Sequence, residues 1–123
     1  MKRPSETVDP RINEVTQKVI KAAQDTLGDK LEKVILFGSY ARGDFDEYSD
    51  VDFCVLAKVP NEDAWKWDNG ISEKIPYLGL EHDIIVSVHV TASDLFHQYA
   101  DDLPYFTNII NEGIPLAIIK ISI

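Results

Sequence analysis

Two carboxylates one residue apart, Asp50 and Asp52, follow a Gly38-Ser39 pair by ten residues in the run VILFGSYARGDFDEYSDVDFCVLA. Side chains at i and i+2 of a strand project from one face, so both acids share a side if they begin a strand. Like charges held that close are costly unless neutralised, and a divalent cation does so directly. Backbone N–H groups at a glycine-bounded corner can meanwhile hold a phosphate, as helix N-termini and nests do. A cation site beside a phosphate site points to phosphoryl or nucleotidyl transfer. Asp83, just ahead of Ile84-Ile85-Val86, is the candidate third carboxylate. If its strand starts level with the one that Asp50 and Asp52 open, three acids can hold two Mg²⁺ ions roughly 4 Å apart, a clamp for attacking and leaving oxygens. Magnesium suits such oxygen-only ligands.

The elements that must position these groups are legible as apolar periodicities. Asp9-Pro10 signals a helix start, with Ile12, Val15, Val19, Ile20, Ala23 and Leu27 at helical spacing and Gly28 as the stop. Residues 31–37 and 51–58 are apolar, β-branched strands. They bracket a glycine-bounded turn or short helix. A helix is expected from Asn61 to about Tyr77, weakened at Gly70 and broken at Pro76. A third strand covers 82–90. A short helical stretch begins at Thr91, and a further helix runs from Pro104 to Asn111 until Glu112-Gly113 stops it. The apolar tail from Ile114 is extended, either as an edge strand of the same sheet or as an adhesive strand for another subunit. The order α-β-β-α-β-α-β describes one α/β domain over residues 1–123.

Composition narrows the function classes. The chain has 123 residues, 45% hydrophobic and 27% charged, which suits one folded domain with one core. A net charge of −9 with no Lys/Arg cluster argues against direct nucleic-acid binding, and serves either solubility alone or steering toward a basic partner protein. No apolar run approaches the roughly 20 residues of a membrane span. The N-terminus lacks the apolar stretch of a signal peptide, and the single Cys54 allows no internal disulfide. A cytoplasmic location is the expectation.

Several other residues invite a chemical reading and a plainer one. Cys54 shares the face of Asp52 and reads as a core thiol rather than a nucleophile, with no positive group seen beside it. His82, His89 and His97 lack metal-like spacing. His82 adjoins Asp83 but should face the opposite side. Trp65 and Trp67 lie two apart on a helix and cannot both face the core. Tyr40 could stack on a base or pack over the turn.

The segment GSYARGDFDEYSDVDFCVLA resembles the signature of the polymerase-beta-type nucleotidyltransferase superfamily, Gly-Ser followed by Asp-X-Asp. The short chain is similar in particular to the minimal nucleotidyltransferases of prokaryotes, and DLPYFTNIINEGIPL resembles the family's closing helix and strand. This resemblance implies a small mixed sheet flanked by helices. It implies that Gly38 and Ser39 bind the terminal phosphates of a nucleotide, and that Asp50 and Asp52 ligate Mg²⁺. Asp83 would complete the metal site and help deprotonate the acceptor. Arg42 matches a basic position of the motif, as a phosphate contact or an ion pair with a nearby Asp. The implied reaction is attack of a hydroxyl on the α-phosphorus of a nucleoside triphosphate, with ATP the expected donor. The implied partner is a HEPN-domain RNase toxin, modified on a tyrosine, with oligomers forming through that partner. A non-catalytic antitoxin that neutralises by binding is the alternative, and transfer to a small molecule such as an antibiotic a weaker one.

Overall fold

The computed structural model describes residues 10–47 and 49–116. Asp9, expected as a helix cap, lies outside them. Pro10–Ile12 forms a 3-10 turn that leads into α1 (Asn13–Leu27). Val15, Val19, Ile20, Ala23 and Leu27 recur on one side of α1 and are buried there. Next come β1 (Leu31–Phe37), a four-residue helix α2 (Ser39–Arg42) and β2 (Val51–Ala57). Helices α3 (Ala64–Lys74) and α4 (Leu78–Glu81) precede β3 (Val86–Ala92). The described chain closes with α5 (Ser93–Gln98), α6 (Pro104–Glu112) and β4 (Ile114–Leu116).

The four strands form one mixed sheet in the order β3-β2-β1-β4. β1 is antiparallel to β2 and β4, whereas β2 and β3 are parallel. Alternation along β2 divides the core. Val51, Phe53, Val55 and Ala57 pack toward α1 and α3, while Cys54 and Leu56 pack against Phe96 of α5 and Phe106 and Ile109 of α6. Asp52 has the parity of Cys54 and Leu56, and therefore stands at the α5–α6 face of the sheet. The start of the apolar tail is an edge strand of this same sheet, as one of its two readings held. The rest of the tail lies outside the described residues.

Two boundaries differ from the sequence reading. Residues 82–85 are turn rather than strand: Asp83 N–H donates to Leu80 O at 3.3 Å and Ile84 N–H to Gly79 O at 2.9 Å. Gly79 permits this, because a Cβ there would lie 2.5 Å from the Ile84 carbonyl oxygen. The strand instead continues through Thr91 and Ala92, which had read as a helix start. The break at Pro76 is real, and α4 follows it as an unforeseen short helix. Trp65 is exposed while Trp67 packs on the core with Lys30 over its ring, so the two tryptophans do point apart.

Candidate active site

Gly38 is the hinge of the site. Its φ of 76° and ψ of −157° lie in a region open essentially to glycine alone. A Cβ built on it would stand 2.6 Å from Asp52 Oδ2. The bare backbone at residue 38 therefore lets the carboxylate at the start of β2 lie against the corner that ends β1. Register agrees, since Phe37 is the cross-strand partner of Asp52. Gly38 O accepts from Ala41 and Arg42 N–H at 3.1 Å each, which leaves the amides of Ser39 and Tyr40 ahead of the first intrahelical bonds.

Asp52 is half-buried, and its carboxyl is pushed above the ordinary aspartate value, first by burial and then by the charge of Asp50. His89 and Arg42 pull the other way. Both are committed elsewhere. His89 Nδ1 lies 3.9 Å from Asp68, and the Arg42 guanidinium pairs with Asp44 at 3.1 Å and Glu112 at 3.2 Å. Of the two readings of Arg42, the ion pair is the one observed: the side chain ties α2 to the end of α6. Two close acids with one disfavoured as an anion form an oxygen-only donor set that suits a hard divalent cation.

Asp83 is not brought into this group. Its strand starts four residues later than expected, and the residue paired with Asp52 on β3 is Ser87. Asp83 itself sits in the turn at φ 52°. Among the described residues, no three His, Cys, Asp or Glu side chains form one group able to hold a metal ion. The apolar run Ile84-Ile85-Val86 misled the reading, because Ile84 packs on the core from a turn and Ile85 is exposed. Asn tolerates positive φ, so Asp83→Asn should fold. Its transferase activity, measured by transfer of label from ATP, is expected to stay within about tenfold of wild type, short of the roughly 10²–10⁴-fold that loss of a general base costs.

The remaining candidates fall to structural roles. Cys54 is buried, and burial pushes its thiol up to about 11, which leaves it an inert core group. Tyr40 stacks on Phe45 at 4.4 Å with Arg11 over that ring, so it packs over the turn. His97 joins the Ser93 hydroxyl on Glu32, at 3.2 Å and 2.6 Å. His82 faces away from the acids. Its Nδ1 lies 3.0 Å from Leu78 O and its Nε2 3.3 Å from Glu14, raising its pKa by the carbonyl contact first and the carboxylate second. A raised histidine pKa contributes stability present below the unfolded value and lost as pH rises through the folded one. The thermal midpoint gap between wild type and His82→Gln should accordingly be wider near about pH 6 than near about pH 8. A gap that holds or grows with pH would contradict the contact.

Tyr105, which the sequence did not single out, also belongs here. Its ring meets Phe37 edge-on at 5.7 Å, and its hydroxyl is pushed up to about 12 by burial, then by Cys54 and Asp52. The available signal was Pro104, which fixes the start of α6 and so the place of the next side chain.

A mixed sheet that sets a Gly-Ser corner against an Asp-X-Asp strand start defines the nucleotidyltransferase class. The family model described as the nucleotidyltransferase domain matches residues 17–114. A relative from Methanocaldococcus jannaschii, provisionally named a protein adenylyltransferase, is 37% identical over 93 residues, covering 75% of this chain and 91% of its own. A second, of the same provisional name and organism, is 26% identical over 97 residues, covering 79% of this chain and 89% of its own. The chain belongs to the nucleotidyltransferase family and is a nucleotidyltransferase enzyme. Solved structures share the fold. A provisionally named nucleotidyltransferase from Sulfolobus solfataricus aligns with a TM-score of 0.54 at 18% identity, over 85% of this chain and 78% of that one. A chain of a toxin–antitoxin complex solved with AMP-PNP aligns with a TM-score of 0.51 at 23% identity, over 85% and 73%. No helix among the described residues is long and apolar enough to cross a membrane.

Proposed function

We propose that this chain transfers AMP from ATP to a hydroxyl on a partner protein, a tyrosine of a HEPN-domain toxin, and so acts as its antitoxin. The observation that carries the reading is the contact between the bare Gly38 backbone and the Asp52 carboxylate, which sets the Gly-Ser corner directly against the second acid of the Asp-X-Asp pair. The provisional names of the relatives as protein adenylyltransferases support a protein acceptor, and the fold shared with a toxin–antitoxin chain solved with AMP-PNP is consistent with the biological role. A net charge of −9 suits a basic partner through steering.

In this reading Gly38 and Ser39 hold the terminal phosphates through backbone N–H groups and the Ser39 hydroxyl. Asp50 and Asp52 hold Mg²⁺. What the cation adds when bound is neutralisation of the charge that builds on the transferring phosphoryl group. The acceptor oxygen attacks the α-phosphorus and pyrophosphate leaves. The chain contributes mainly by fixing the donor in line and keeping the acids ready. Arg42 contributes through α2, which it anchors to α6, rather than through phosphate.

The test combines the purified chain, Mg²⁺, labelled ATP and a candidate HEPN-domain partner protein. Label on a tyrosine of the partner with wild type, and none with the Asp50→Ala, Asp52→Ala double variant, is the expected result. Equal label from both proteins would remove these acids from the reaction. Silencing of the partner by the double variant without modification would instead establish neutralisation by binding.

A further inference from the structure

We infer that Tyr105, backed by Phe37, forms the wall on which the nucleobase of the bound nucleoside triphosphate rests. This rests on the nucleotidyl-transfer reading above and adds to it a residue that contacts the donor. Phe37 immediately precedes Gly38 and is the cross-strand neighbour of Asp52, so its ring lies on the acids' side of the sheet. Tyr105, second residue of α6, meets that ring at 5.7 Å and 88°, and meets Phe106 at 5.7 Å and 56°. It is nevertheless 45% exposed. An aromatic fixed by two others yet still half open is a platform awaiting a flat apolar group.

The alternatives beside the corner are spent or misplaced. Tyr40 has a ring face covered by Phe45 at 4.4 Å and a 5° interplanar angle, with Arg11 on the far side of Phe45. Trp65 and Tyr77 are exposed but belong to the α3–α4 layer, across the sheet from Asp52. A triphosphate seated at Gly38 and Ser39 thus finds the α2 side filled by Tyr40 and Phe45, and an open aromatic toward α6. The field of Asp52 felt at the Tyr105 hydroxyl agrees with this closeness. Stacking tolerates any base, so the wall would add affinity for the nucleoside without itself selecting adenine.

The experiment measures calorimetric binding, with Mg²⁺, of ATP and of inorganic tripolyphosphate to wild type, Tyr105→Phe, Tyr105→Leu and Tyr105→Ala. Thermal midpoints of the four proteins accompany it. Tyr105→Ala and Tyr105→Leu should weaken ATP roughly tenfold, the scale of one lost base stack, and leave tripolyphosphate within about twofold. Tyr105→Phe should keep ATP affinity. The leucine variant retains apolar packing on Phe37 and so serves if the alanine variant is unstable. Unchanged ATP binding by the leucine variant, or an equal loss for both ligands, would overturn the wall while leaving the phosphate site standing. Wild type that binds neither ligand would overturn the transfer reading and this inference with it.

Discussion

Asp52→Asn is expected to lose transferase activity by roughly a thousandfold and at the same time to gain folding stability. The activity loss follows, in the proposed reading, from removing one of the two carboxylates that would hold the cation, an electrostatic contribution of about 4 kcal/mol to the barrier. The stability gain follows from the folded state. Burial and Asp50 raise the Asp52 carboxyl, so it binds its proton more tightly folded than unfolded. Ionising it therefore costs stability as pH climbs from the unfolded value through the raised folded one. The group is half exposed and water screens it, so the gain is no more than about 1 kcal/mol. Added Mg²⁺ should raise the thermal midpoint of wild type and leave that of Asp52→Asn nearly unmoved. Label transfer and thermal melts with and without Mg²⁺ check both halves. An Asp52→Asn protein that is both active and no more stable would contradict the account.

Gly38→Ala is expected to be nearly as damaging, for a different reason. A methyl group at residue 38 would sit 2.6 Å from Asp52 Oδ2, so either the carboxylate or the corner must move. The backbone conformation adds strain of about 1–3 kcal/mol. Displacing a cation ligand by about an ångström commonly costs on the order of a hundredfold in rate. Gly43→Ala is the matched control. Gly43 also has positive φ, 86°, but nothing lies within 4 Å of its added Cβ. It should lose about 1–2 kcal/mol of stability and retain activity per folded molecule. Equal activity of the two variants, each corrected for folded fraction, would show that the contact with Asp52 has no bearing on the chemistry.

The sequence carried most of the sheet because its signals were strong ones. β1 and β2 are runs of β-branched and large apolar residues, and their alternation sorts Phe53 and Val55 from Cys54 and Leu56 between two helical layers. Pro104 and Gly113 marked α6 within one residue. The Gly38–Asp52 contact lay beyond periodicity. Spacing brought the corner and the strand start near one another, but only the β1–β2 register and the glycine-only backbone put them in contact. Asp83 shows the opposite failure. Three apolar residues after an acid look the same whether they enter a strand or leave a tight turn. The deciding bonds, from the amides of Asp83 and Ile84 to Leu80 and Gly79, depend on a short helix too small to show a period. Arg42 was undecided for a related reason, because Glu112 lies 70 residues away in sequence and adjacent only in the fold.

A crystal structure of the chain with Mg²⁺ and a non-hydrolysable ATP analogue tests the central claim most directly. The account predicts the triphosphate at the amides of Ser39 and Tyr40, and a cation coordinated by both Asp50 and Asp52. A nucleotide bound elsewhere, or a cation held without either acid, would contradict it.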